Sequence, residues 1–319
     1  MPDMPPGRVG ELTKAAIAAA IAAARELGLP AGQPRLLSSR GNVLVQLAPA
    51  PVVARVATLT AWTRDDPFSW LAREVAVAGY LACHGAPVVP PTPLADPGPH
   101  RSDGFALSLW TYFDIADRRP EPADVGDALA RLHLAGRGYP GTLPVLIGVR
   151  DLITEGIAAL ERHRAADPAL LAALRARHGQ VLANLPGADP AAQSGPAPTT
   201  RAAVLPSAAV LHGDAHAGNL LSAGGEWLWI DLEETCSGPP EFDLAVLAGS
   251  QRDGGLAALT AYAAVTGTPV PDPAVLAPHA SARKLEAAVW MVGMAHQYPE
   301  RYRDFASRAV ADALGGQWR

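Results

Sequence analysis

Two short apolar runs that read as strands, Val210-Leu211 and Trp227-Leu228-Trp229-Ile230, bracket a polar stretch. That stretch is His212-Gly213-Asp214-Ala215-His216-Ala217-Gly218-Asn219, and a second acid, Asp231, follows the second run. An acid, an amide and another acid in this order can position a divalent metal, a phosphate and an attacking hydroxyl. The fold of this chain has to supply the other half of such a site.

From Ala202 to Ser250 there is no Lys or Arg, whereas Asp214, Glu226, Asp231, Glu233, Glu234, Glu241 and Asp243 are acidic. Carboxylates this close repel one another, and a hard cation such as Mg²⁺, which takes oxygen ligands, is one way to neutralise them. Asn219 would offer an amide oxygen and Asp231 a carboxylate, leaving Asp214 free to receive a proton from a hydroxyl. Other readings of the same residues stay open. His212, Asp214 and His216 have the spacing of a zinc or di-metal hydrolase. Gly213 and Gly218 would also serve a plain tight turn, and Asp243 an ordinary helix N-cap.

Upstream, residues 11–27 form an Ala-rich helix stopped by Gly28 and Pro30, with Ile17 and Ile21 on one face. Residues 36–47 and 51–56 are β-rich and predict a hairpin or meander. The turn between its first strands, Ser38 to Asn42, is small and polar enough to offer backbone N–H groups to phosphate, with Ser38 and Ser39 its candidate contacts. Arg55 lies in an otherwise apolar strand and needs a partner or a ligand there. The candidate partner is Glu74, in a helical pattern over 70–81. Residues 105–113 read as a strand and 114–122 as a linker, dividing the chain into a β-rich part, 1–113, and a helical part, 114–319. Within the latter, 186–206 is low-complexity and predicts a mobile loop.

The formal net charge of −5 and the pI near 6.0 give no support for nucleic-acid or anionic-membrane partners. Cys83 and Cys236 show neither disulfide nor metal spacing, the start of the chain lacks signal-peptide order, and the run Ala15 to Ala24 is too short and weakly apolar to span a bilayer. These observations predict a cytoplasmic protein.

The motif H-G-D-x-x-x-x-N at 212–219, I-D at Ile230-Asp231 and F-D-L-A at 242–245 together resemble the aminoglycoside phosphotransferase family, whose members have a bilobal, protein-kinase-like α+β fold. Arg55, Glu74 and the 109–112 strand-to-linker segment extend the resemblance to about 36–248. It implies Mg²⁺-dependent transfer of phosphate from ATP or GTP to a hydroxyl of a small molecule, an aminoglycoside or another amino-alcohol or sugar-like compound. Carried over, Asp214 is the base, Asn219 and Asp231 hold Mg²⁺, and His212 and Asp243 support the catalytic loop. Arg55, paired with Glu74, grips the nucleotide phosphates near the Ser38-Ser39 turn, and backbone groups around Trp110 to Tyr112 meet the purine. Two departures stand out. Arg55 occupies the place of the family's usual lysine, a wider and permanently charged fork. The 38–42 turn also has one glycine and no protein-kinase Gly-rich pattern. A nucleotide-binding protein with weak catalysis and a metal-dependent hydrolase are the competing expectations.

Overall fold

The computed structural model describes residues 9–39, 41–64, 66–186, 208–250 and 254–315. Apart from Pro186, the expected loop at 186–206 lies outside them.

The first part is an antiparallel five-stranded sheet in the order β1-β2-β3-β5-β4. Its strands are β1 (Arg35–Ser38), β2 (Val43–Gln46), β3 (Val52–Val56), β4 (His100–Ser102) and β5 (Phe105–Thr111). Period-2 burial explains its stability: Val43, Val45, Val52, Ala54, Val56, Leu107 and Leu109 are buried on one core. Helix α1 (Val9–Glu26) covers that core with Ala16, Ala20, Ala23 and Ala24. The buried stripe is thus alanine, which lets helix and sheet approach closely, while Ile17 and Ile21 are only partly buried. Arg55 sits in the central strand, opposite Leu44 on β2 and Ser108 on β5.

Short helix α2 (Leu59–Thr63) and then α3 (Pro67–Cys83) follow β3. Asp66 caps α3 by accepting the Ser69 N–H at 3.4 Å, and Pro67 starts it where no backbone donor is needed. Trp70, Leu71, Val75, Ala78 and Leu81 are buried on one side of α3, and Glu74 is buried among them.

The connection from β5 carries β6 (Ile115–Ala116), which pairs with residues 222–223 of the helical part. That part holds α4 (Pro122–Ala135), α5 (Ile153–Arg162), α6 (Pro168–Asn184), α7 (Glu241–Ser250), α8 (Gly255–Thr266), α9 (Pro273–Gln297) and α10 (Pro299–Ala313). Helices α4 and α8 cross so closely that a Cβ on Gly126 would stand 2.0 Å from the Ala258 carbonyl oxygen. On α9, Leu285, Val289 and Val292 enter the main core as their spacing predicts, and His296 stacks on Trp62. Two small antiparallel sheets lie between the helices and the large sheet: β7 (Ala209–Leu211) with β10 (Cys236–Gly238), and β6 with β8 (Leu220–Ala223) and β9 (Glu226–Trp229). Among the described residues no helix is long and apolar enough to cross a membrane. Both cysteines are free.

Candidate active site

The 212–219 loop joins β7 to β8, and Asp231 leaves the end of β9, so two strand ends bring Asp214, Asn219 and Asp231 together. The support for this loop is Asp243, in the first turn of α7 and fully buried. Its Oδ2 accepts the His212 N–H at 2.7 Å and its Oδ1 the Gly213 N–H at 3.0 Å. His133 Nε2 lies 3.0 Å from Oδ2, with His133 Nδ1 in turn 2.8 Å from the Tyr262 hydroxyl. Asp243 is therefore more than an N-cap. Burial pushes its carboxyl up, but the His133 hydrogen bond and the other donors outweigh burial and leave it below its ordinary value.

His212 is locked from both ring nitrogens. Nε2 donates to the Ile230 carbonyl at 3.0 Å, and Nδ1 accepts the Asp214 N–H at 3.2 Å. This pattern needs the neutral ring, and burial holds the His212 pKa below the usual histidine value. With both nitrogens occupied, His212 has no lone pair for zinc, which removes the three-residue hydrolase centre expected as an alternative. Gly213, at φ +91°, has the Glu234 carbonyl oxygen 2.4 Å from where a Cβ would stand, so this position is closed to any side chain.

Asn219 donates through Nδ2 to the Asp214 carbonyl oxygen at 3.0 Å and to Asp214 Oδ2 at 3.3 Å. His216 also faces Asp214: its Nδ1 accepts the Gly218 N–H at 2.9 Å, which leaves Nε2 as the donor 3.3 Å from Asp214 Oδ2. Asp231 adopts the left-handed conformation, φ 63°, which an L-residue enters at a cost of about 1–2 kcal/mol. Its side chain, 43% exposed, stays open to the cleft.

From the large sheet, Arg55 reaches into the same cleft. Its Nη1 pairs with Glu74 Oε1, and its Nη2 contacts Asp231 Oδ1 and Glu233 Oε2, each at 2.6 Å. The expected Arg55–Glu74 pair is present, and Arg55 also spans the two parts of the fold. Burial pushes the Glu74 carboxyl up to about 8 against the pull of Arg55. A raised acid is stabilising in its protonated form. Its contribution is complete below the unfolded value of about 4.3 and is lost as pH rises through about 8. Glu74→Gln is therefore expected to flatten the decline of stability between about pH 5 and 8, which denaturant unfolding at a series of pH values measures.

The acidic stretch obtains cations from elsewhere in the chain, beside any metal it would hold. Besides Arg55, Arg64 lies 3.2 Å from Glu233 Oε1 and stacks on Trp70. Arg73 donates to the Glu233 carbonyl oxygen at 3.2 Å. Arg283 of α9 contacts Asp214 Oδ1 at 2.6 Å, Glu234 Oε2 at 3.0 Å and Glu286 Oε2 at 2.5 Å. Although burial opposes it, Arg283, followed by His216, holds the Asp214 carboxyl well below the usual carboxylate range. Sequence reading missed Arg64, Arg73 and Arg283. The only signal was the lack of any Lys or Arg near so many acids.

Ser38 ends β1 and Ser39 follows it, and from the same turn Asn42 Nδ2 donates to Glu233 Oε2 at 3.3 Å. Trp110 is buried, its ring N–H donating to Ser108 Oγ at 2.9 Å. The amides of Thr111 and Tyr112 already donate to the carbonyls of Pro90 and Pro51, at 3.1 and 2.9 Å. Of the backbone groups expected to meet a purine here, these two amides are therefore already engaged within the fold.

The donors are of the kind a hard cation takes: an exposed Asp231 carboxylate, contacted on one oxygen by Arg55 Nη2, and the side-chain amide of Asn219 next to Asp214.

No curated protein matches the sequence. Among solved structures, the chain is similar to amicoumacin kinase solved with AMP-PNP and Ca²⁺ (TM-score 0.68, 13% identity, 96% of each chain covered). It is also similar to a choline/ethanolamine kinase family protein from Mesorhizobium loti (TM-score 0.58, 17% identity, 98% of this chain and 95% of that one). A third is an aminoglycoside phosphotransferase from Streptomyces rimosus solved with ADP and streptomycin (TM-score 0.53, 18% identity, 85% and 98%). These likenesses establish the kinase-like fold. The model of the phosphotransferase enzyme family matches residues 34–279, spanning the large sheet, the 212–219 loop and most of the helical part, and the chain belongs to that family.

Proposed function

We propose that this protein is a Mg²⁺-dependent kinase that moves the γ-phosphoryl group of ATP or GTP to a hydroxyl of a small molecule. The observation that carries this reading is the meeting of Asp214, Asn219 and Asp231 with the Arg55–Glu74 pair across one cleft. Asp214 receives the acceptor hydroxyl. Its Oδ2 is the oxygen left for that task, because its contacts there are 3.3 Å long whereas Oδ1 is held by Arg283 at 2.6 Å. The acceptor oxygen bonds to the γ-phosphorus as the bond from that phosphorus to the bridging oxygen breaks. The hydroxyl proton passes to Asp214, and the nucleoside diphosphate leaves. Asn219 and Asp231 would hold Mg²⁺, which when bound neutralises charge on the phosphate oxygens.

Arg55 keeps Nη1 on Glu74 and turns Nη2 from Asp231 and Glu233 toward the phosphates. A guanidinium can make both contacts at once, so the replacement of the family's lysine is compatible with transfer, and the weak-catalysis alternative loses its main support. Asn42, bonded to Glu233, joins Ser38 and Ser39 as a candidate for the phosphates. With the Thr111 and Tyr112 amides engaged, purine contacts fall to backbone groups beyond them.

A thermal-shift titration tests the nucleotide and metal together. ATP or GTP with Mg²⁺ at about 100 times its Kd adds about 2.7 kcal/mol and raises Tm by several degrees. EDTA and the substitution Asp231→Asn should each abolish most of that rise. Stabilisation by neither nucleotide, or stabilisation indifferent to EDTA, contradicts the reading.

A further inference from the structure

The carboxylates around Asp214 share an internal cation that the transfer chemistry does not require. Arg283 Nη2 lies 2.6 Å from Asp214 Oδ1, and Nη1 lies 3.0 Å from Glu234 Oε2 and 2.5 Å from Glu286 Oε2. The Phe242 ring stands 5.7 Å from its guanidinium carbon. The Arg283 side chain is 16% exposed. Because Glu234 and Glu286 hold Nη1 by themselves, the guanidinium stays seated while Asp214 engages an acceptor. Glu286 stands one turn after Arg283 on α9, close enough to hold its guanidinium from the same helix.

A cationic acceptor, with an ammonium or guanidinium close to its reacting hydroxyl, would seek these same carboxylates. The chain has filled their place with its own side chain. We propose that Arg283 is a specificity-determining residue: it occupies the cation position beside Asp214 and restricts the acceptor to alcohols that are neutral or anionic near the reacting hydroxyl. This inference rests on the reading of Asp214 as the residue that receives that hydroxyl. A cationic acceptor would have to break the contacts of Arg283 with Asp214, Glu234 and Glu286 before its own charge could take that place, which disfavours it against a neutral alcohol.

The test compares streptomycin, which carries guanidinium groups, and guanidinium ion at low concentration, as ligands of wild-type protein, Arg283→Ala and Arg283→Lys. Affinity is read by thermal shift and calorimetry. Arg283→Ala should bind both probes at least tenfold more tightly than wild type, and Arg283→Lys, which keeps the charge, should resemble wild type. If Arg283→Ala does not fold, the double variant Arg283→Ala/Glu286→Gln, with one carboxylate neutralised, carries the same comparison. Wild-type binding of streptomycin as tight as that of the alanine variant overturns the proposal, as does wild-type phosphorylation of streptomycin or choline. Failure of the underlying reading looks different: Asp214→Asn then keeps its turnover, whatever the probes bind.

Discussion

Asp214→Asn is expected to lower kcat by about 10²–10⁴-fold, the usual contribution of a positioned acid–base group, while nucleotide affinity and Tm stay near wild type. The separation of these effects follows from where the side chain stands. Asp214 is 28% exposed and faces the cleft, so it contributes little to the core. Its partners are cared for without its charge: Arg283 keeps Glu234 and Glu286, and the Asn219 amide still has the Asp214 carbonyl oxygen at 3.0 Å. Steady-state rates with a saturating acceptor and calorimetry with a non-hydrolysable nucleotide measure the two sides. A variant that loses both rate and nucleotide affinity would place Asp214 in nucleotide binding instead.

Asp243→Ala should act in the opposite way, by destabilising the protein. The carboxylate is fully buried and accepts from the His212 N–H, the Gly213 N–H and His133 Nε2. Deleting it leaves those donors buried without a partner, a loss of about 3–5 kcal/mol. Activity should fall with it, because the His212-Gly213 backbone positions Asp214. The pH dependence has a defined sign. The folded value of Asp243 lies below its unfolded value of about 3.9, so its stabilisation is present above that value and lost as pH falls through the folded one. Asp243→Asn, which keeps the shape, should show a shallower loss of stability than wild type below about pH 4. Equilibrium unfolding in urea measures both variants.

Much of this fold was legible because its signals are local. Ala-rich α1 stopped at Gly28, the β-branched strands around Arg55, and the stripe of Leu285, Val289 and Val292 follow from propensity and period alone. The 212–219 loop was legible because its residue types and spacing have few other uses in combination, and Arg55 with Glu74 because a charge in an apolar strand demands a partner. What escaped was long-range pairing. Arg283 is 69 residues from Asp214, and nothing in the local pattern of α9 distinguishes it from a solvated arginine. Arg64 and Arg73 were hidden for the same reason. That the Thr111 and Tyr112 amides donate to Pro90 and Pro51 was equally hidden, because those segments approach β5 with no sequence signature.

Phosphorus NMR of ATP, and separately of GTP, incubated with Mg²⁺, the protein and a panel of small alcohols tests the central claim most directly. The claim requires the γ-phosphate resonance to be replaced by that of a phosphate monoester of one alcohol, and requires Asp214→Asn to suppress that signal. Conversion of an acceptor in the absence of nucleotide, or the same monoester formed at an undiminished rate by Asp214→Asn, would contradict it.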